Sequence, residues 1–247
     1  MKVPLLITLI YRSDKMENAN KFSNVFRGLD QAYGTYRIDK EQSNGKQVGK
    51  ATLVREPRTV ETWEKHLDGT GNGIGIVPIN EDNKCVFGAI DVDTYPLDLT
   101  KLVQQIRKLK LPLVVCRSKS GGAHCYFFTK EWIDAKAMQE VLNTIASALG
   151  YHGSEVFPKQ ILLRLDRGDV GNFLNMPYFN AEKGLRYAIK DDGSAATLSE
   201  FFEMYDQYVQ TPEQVSALKI EESVESPVPD GPPCLQHLCA QKISEGG

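Results

Sequence analysis

Val86-Phe87-Gly88-Ala89-Ile90-Asp91-Val92-Asp93 is an apolar run that ends in two acids one residue apart. In a β-strand, residues i and i+2 lie on one face, so Asp91 and Asp93 point the same way at the strand's end. Two carboxylates in that position repel each other unless a positive charge sits between them. A divalent cation supplies it, and Mg²⁺ takes one or two carboxylates together with substrate phosphates. The plainer alternative is that the pair opens a turn, since Thr94-Tyr95-Pro96 follows.

Working outward, Lys84–Val92 reads as a strand and 98–110 as a helix, with Leu99, Leu102, Val103, Ile106 and Leu109 at helical spacing. Pro112 bars continuation of that helix, and Leu113–Cys116 is a buried strand. Ser118–Gly122 is a tight polar turn, His124–Thr129 a strand, 134–149 a helix closed by Gly150, and Ser154–Phe157 a fourth strand. The order is β-α-β-β-α-β, a ferredoxin-like or RRM-like unit. It predicts an antiparallel sheet of strand order 4-1-3-2 with helices on one face and the other face open. The end of the first strand then lies beside the starts of the third and fourth. Asp91, Asp93, His124 and Glu155 converge at one edge, together with the Arg117–Gly122 turn.

The flanks are less regular. Met1–Ile10 reads as a strand, because it is apolar, short and lacks a small-residue cleavage site. Tyr33–Ile38, Val48–Arg55 and Ile74–Ile79 read as strands, and Thr59–Leu67 as a short helix capped by Thr59. Gly69, Gly71, Gly73 and Gly75 form a connecting loop, for no P-loop Lys-Ser/Thr ending is present. Beyond Phe157, Ile161–Leu165 suits a further strand, Gly171–Tyr178 an ordered loop or edge strand, and Leu198–Tyr208 an amphipathic helix. The expected organisation is α+β: a catalytic domain over 1–210, made of an N-terminal α/β unit (1–80) packed with the RRM-like core (84–180). A Glu/Ser/Val/Pro-rich linker (211–230) and the start of a truncated helical domain (231–247) follow.

Composition bounds the function. The 247-residue chain is 41% hydrophobic and 25% charged, with net charge −3, so any nucleic-acid site is a local basic patch rather than a global field. Arg55, Arg58, Arg164 and Arg167 are candidates for it. No run approaches a membrane span. Five cysteines without framework spacing point to a reducing cytoplasm. Cys234, His237 and Cys239 lack the partner cysteines of a zinc or iron–sulfur site. His66 and His152 carry no assigned role, and Trp63 and Trp132 read as core.

The residues at the edge can do chemistry at phosphorus. Two metal ions on three carboxylates assist such displacements. Asp91 and Asp93 are the bridging ligands and Glu155 the third, with Asp166 and Asp169 as rivals for that place. Arg117, Lys119 and the backbone of Ser120–Gly122 form a nest for a triphosphate. His124 can donate to a phosphate oxygen, and Lys159 follows the fourth strand closely enough to reach one. Phe87 and Tyr126 on the open face would stack bases.

These residues resemble the archaeo-eukaryotic primase superfamily, specifically primase-polymerases of phages, plasmids and other mobile elements. Ala89–Asp93 looks like its metal-binding first motif. Arg117-Ser118-Lys119-Ser120-Gly121-Gly122-Ala123-His124 looks like the second, which binds nucleotide phosphates. Glu155–Gln160 with Gly171–Pro177, including Gln160 and Asn172, resembles the third. Many members carry Ser two residues before the second-motif His, where this chain has Gly122. The resemblance implies a template-directed nucleotidyltransferase, a DNA primase or DNA polymerase. It implies two Mg²⁺ or Mn²⁺ ions, NTP or dNTP substrates, a primer strand, a single-stranded DNA template and often a downstream helicase. The alternatives are a non-catalytic RRM-like module for single-stranded nucleic acid and a two-metal nuclease.

Overall fold

The computed structural model describes residues 3–41 and 47–220. The expected helical segment at 231–247, with Cys234, His237 and Cys239, and the 221–230 part of the linker lie outside the described residues. Helix α1 (Val3–Val25) opens the chain, followed by strands β1 (Tyr33–Glu41) and β2 (Gln47–Val54), helix α2 (Val60–Asp68) and strand β3 (Gly73–Ile76). Then come β4 (Lys84–Val92), α3 (Leu99–Lys108), β5 (Leu113–Arg117), β6 (Ala123–Asp134), α4 (Ala135–Ala148) and β7 (Glu155–Phe157). A 3₁₀ turn (Leu165–Arg167), β8 (Leu174–Asn175), α5 (Leu198–Tyr208) and α6 (Pro212–Ala217) complete the described chain.

Local sequence explains the element ends. Thr59 closes a capping box with Thr62 at the start of α2, and Gly69 ends that helix in the left-handed region at φ 74°. Asp98 accepts from the Lys101 N–H at the start of α3. Thr197 and Glu200 form the capping box of α5.

Two four-stranded sheets result, both antiparallel. The first has the order β2-β1-β3-β8 and the second β5-β6-β4-β7. In the second sheet the β-α-β-β-α-β segment has the expected 4-1-3-2 order. Helices α3 and α4 pack on one face of it, through Leu102, Ile106, Met138, Leu142 and Ile145 against Ile90, Val92, Cys125 and Phe127. Gly88 lets α4 approach closely, since a Cβ there would meet Leu142 Cδ1 at 2.6 Å.

The opposite face is not open. Phe87, Ala89, Val114, Tyr126 and Phe128 share an apolar cluster with Phe22 and Phe26 of the N-terminal segment, with Ile74 and Ile76 of β3, and with Phe201 of α5. Phe87 and Tyr126 are both 0% exposed. Phe26 stands edge-on to both, with ring centroids 5.2 Å and 5.3 Å away. The expectation of a base-stacking platform therefore fails: the aromatic side chains that suited bases are consumed by the core. Strand β8 also joins the first sheet from late in the chain, so the N-terminal layer includes residues beyond 80. Phe173 lies over Gly34 and Gly75, where any Cβ would meet its ring at 2.3 Å.

Four further expectations are corrected. Of the expected strand at 1–10, the described part, from Val3 on, belongs to helix α1. A short apolar run does not distinguish the two, and the i, i+3, i+7 stripe of Ala19, Phe22 and Phe26 fixes the helical continuation. Ile161–Leu165 is not a strand; Ile161 and Leu162 are exposed and the chain turns at Leu165–Arg167. Strand β6 runs on to Asp134 and pairs it with Lys84, past a bulge between Cys85 and Phe87. The beginning of the expected linker folds as α6, with Thr211 as its cap and Pro212 at its first turn.

Candidate active site

The carboxylates are set by strand register. Asp91, near the end of β4, stands opposite His124 on β6 and opposite Glu155 on β7. Asp91 follows Phe87 and Ala89 on the covered face, so the site opens at the rim between the two sheets, not on an exposed sheet surface. Asp91, Asp93, Arg117, Ser118, Lys119, Ser120, His124, Asn175, Pro177 and Arg186 line a cavity of about 130 Å³ there.

One wall is acidic. Burial, then Asp93 and Glu155, push the Asp91 carboxyl up to about 7, with Lys159 opposing. His124 Nε2 lies 3.4 Å from Asp91 Oδ1 and its Nδ1 lies 3.2 Å from the Tyr126 hydroxyl. Burial, with Arg186 nearby, holds the imidazole down to about 3. His124 is thus a neutral ring, and its contact with Asp91 is not an ion pair. The Tyr95 hydroxyl donates to Asp93 Oδ1 at 2.9 Å.

The facing wall is the turn between β5 and β6. The Ser118 N–H donates to the Gly122 carbonyl and the Gly121 N–H to the Ser118 carbonyl. The Gly121 amide is therefore spent inside the turn instead of in a phosphate nest. Gly121 takes φ 94°, a conformation suited to glycine. The Ser118 and Ser120 hydroxyls stand 3.3 Å apart. Arg117 donates to the Leu185 carbonyl at 3.2 Å, and Lys119 Nζ sits 3.6 Å from the centre of the Tyr36 ring.

The remaining expected residues lie outside this lining. Glu155 pairs with Lys159 at 2.7 Å. Gln160 and Asn172 bond each other, twice, and clip the 160–172 loop. Asp169 accepts from the Gly171 N–H, and Asp166 is on the exposed 3₁₀ turn. Arg58 is committed internally, to the Leu29 carbonyl and to Asp30, which removes it from the candidates for a template patch. Among the described residues no group of three His, Cys, Asp or Glu side chains is preassembled for a metal ion. The donor set nonetheless fits a hard divalent cation: Asp91 and Asp93 offer oxygen ligands, Glu155 is next to them, and the repulsion that raises Asp91 is what a cation relieves.

Sequence reasoning missed Arg186 and Tyr36, and placed Asn175 in the third-motif stretch without a role of its own. Arg186 sits in Leu185-Arg186-Tyr187-Ala188-Ile189, a lone cation in an otherwise apolar run, which was the available signal of a strand-like partner for β5.

A model of the archaeo-eukaryotic primase domain of TOTE conflict systems matches residues 14–219. This chain belongs to that family. Among solved structures, the primase domain of the cyanophage S-2L primase-polymerase is similar at 13% identity, covering 74% of this chain and 92% of that one, with a TM-score of 0.40. No curated protein matches. In this archaeo-eukaryotic primase domain, the serine expected two residues before His124 has no room. A Cβ at Gly122 would come 2.4 Å from the Val92 carbonyl oxygen and 3.4 Å from Ser118 Oγ. Among the described residues of the primase domain, no helix is long and apolar enough to cross a membrane.

Proposed function

We propose that the chain is a template-directed nucleotidyltransferase, a primase, a polymerase or both, which joins NTPs or dNTPs on a single-stranded DNA template. The observation that carries this reading is a cleft with acids on one wall and cations and hydroxyls on the other. A nucleoside triphosphate with its metal ions needs both walls; a single-stranded nucleic-acid binder needs no carboxylates, and its aromatic surface is buried here.

Asp91 and Asp93, with Glu155, would hold Mg²⁺ or Mn²⁺, which when bound stabilises charge on the attacking and leaving oxygens. The chain's own residues position the substrate. Arg117 and Lys119 supply positive charge toward the phosphates, and the Ser118 and Ser120 hydroxyls supply donors. Neutral His124 donates to a phosphate oxygen without adding charge. A primer 3′-hydroxyl attacks the α-phosphorus and gives up its proton to solvent, the new P–O bond forms and the bond to pyrophosphate breaks. Lys159 reaches a phosphate only by leaving Glu155. In this reading the joined strand serves the replication of a mobile element or, as the family's description adds, a conflict system.

Primer extension with labelled nucleotides, template and Mn²⁺ tests the reading. Asp91→Asn and Asp93→Asn should each lower extension by more than the ~10–100-fold that loss of an outer-shell metal partner costs. Undiminished extension by both would refute it, and template degradation by the wild type would turn it into a nuclease.

A further inference from the structure

Arg186 is a buried cation whose terminal nitrogens have no hydrogen-bond acceptor. It is 6% exposed, and both terminal nitrogens of its guanidinium are buried without a hydrogen-bond partner. Buried cations are ordinarily paired, and an unpaired one is costly. The backbone leaves little freedom to move it away. The Tyr178 N–H donates to the Arg186 carbonyl, and just beyond it the Arg117 N–H donates to the Tyr187 carbonyl and the Ile189 N–H to the Val115 carbonyl. The segment is thus fastened along β5. The guanidinium carbon lies 5.5 Å from the centre of the Phe179 ring and 6.0 Å from that of Tyr36.

Tyr36 carries a second cation, for Lys119 Nζ also lies on its ring. Two positive groups therefore flank one aromatic ring at the rim of the cleft, and both line the same cavity. Asn175 Oδ1, on the same lining, is likewise buried without a donor. Two like charges on one ring describe a site prepared for an anionic guest, and the orphaned Asn175 oxygen, an acceptor, asks that the same guest also carry an N–H or O–H.

We propose that Arg186 is a binding residue for the triphosphate of the incoming nucleotide, taking two phosphate oxygens through its two free terminal nitrogens. The inference rests on the nucleotidyltransferase reading and adds to it a residue on a different segment of the chain from the second motif. A guanidinium fork matches two phosphate oxygens, which an ammonium cannot. Arg186 forms no ion pair with the acids opposite and adds a third cation to the wall of Arg117 and Lys119.

The test is equilibrium binding of inorganic triphosphate, a nucleoside triphosphate and the matching nucleoside to the wild type, Arg186→Met and Arg186→Lys, with the thermal midpoint of each protein. The wild type should bind triphosphate and nucleoside triphosphate, and both should raise its midpoint. Arg186→Met should lose at least ~10-fold in affinity for both, as loss of a charge-assisted contact implies, while its ligand-free midpoint does not fall. Arg186→Lys should keep the fold and still bind several-fold more weakly. Unchanged affinity in either variant would overturn the proposal. If Arg186→Met fails to fold, Arg186→Lys and a crystal structure of the wild type with inorganic triphosphate decide: a bound triphosphate with no oxygen within hydrogen-bonding distance of Arg186 also overturns it. A wild type that binds no nucleoside triphosphate at all refutes the nucleotidyltransferase reading itself, which separates the two failures.

Discussion

At the scale of single residues, the two histidines of the described interior do different things for the same physical reason. Burial keeps both neutral. His124 is placed against Asp91 in the cleft, whereas His66 is a structural linchpin: its Nδ1 accepts from the Ile74 N–H at 3.1 Å and its Nε2 lies 2.8 Å from the Pro177 carbonyl. Those contacts tie α2 to β3 and to the chain beyond β8. Burial pushes His66 down to about 4. The unfolded chain takes up a proton at this ring below its ordinary value of about 6.5, but the folded chain does so only near 4. Stability from this group is therefore full above pH 6.5 and is lost as pH falls toward 4. Thermal midpoints measured across that interval should decline, and His66→Phe should start lower and flatten that part of the profile. Its lower start reflects two backbone groups left unpaired, each costing about 1–3 kcal/mol.

At the scale of elements, the turn between β5 and β6 is shaped by its fit against the end of β4. Gly122 is buried under the Val92 carbonyl, so the turn can close only without a side chain there. Gly122→Ala should destabilise the protein by about 1–3 kcal/mol, as overpacking does. Because the same shift displaces Ser118, Ser120 and Lys119, nucleotide affinity should fall as well. Denaturant midpoints and nucleotide titration check the two effects separately. A serine hydroxyl does stand beside Gly122: Ser118 is buried, and its Oγ lies 3.4 Å from where a Cβ at Gly122 would sit.

At the scale of the molecule, the two sheets share one apolar interior and the site lies at their rim. Phe26 is the central contact, with its ring against Phe22, Phe87, Tyr126, Phe128 and Phe201. Phe26→Ala should cost about 3–5 kcal/mol, the usual loss for a buried phenylalanine. It should lower one cooperative transition, followed both by circular dichroism and by the fluorescence of Trp63, which belongs to the same cluster. Two separate transitions would show that the layers unfold independently. Three buried thiols, Cys85, Cys116 and Cys125, are free and pack as small hydrophobes, as their apolar strands implied.

The sequence by itself determined the second sheet and the meeting of Asp91, His124 and Glu155. Strand periodicity, helical spacing and the antiparallel order fix register locally, and register alone puts those residues opposite one another. It also carried a sign that was not used: Leu113–Cys116 and Cys125–Phe128 are continuous apolar runs, which indicate a sheet covered on both faces instead of one. What covers the second face was decided only by the tertiary structure. Phe22, Phe26, Ile74 and Phe201 come from three distant parts of the chain, and no local periodicity states which surfaces they will meet. The same long-range packing converts an expected open platform into a closed cleft. It brings Asn175 and Arg186 into the cavity that Asp91 and Asp93 also line, because the depth and charge of a site between two layers depend on both layers at once.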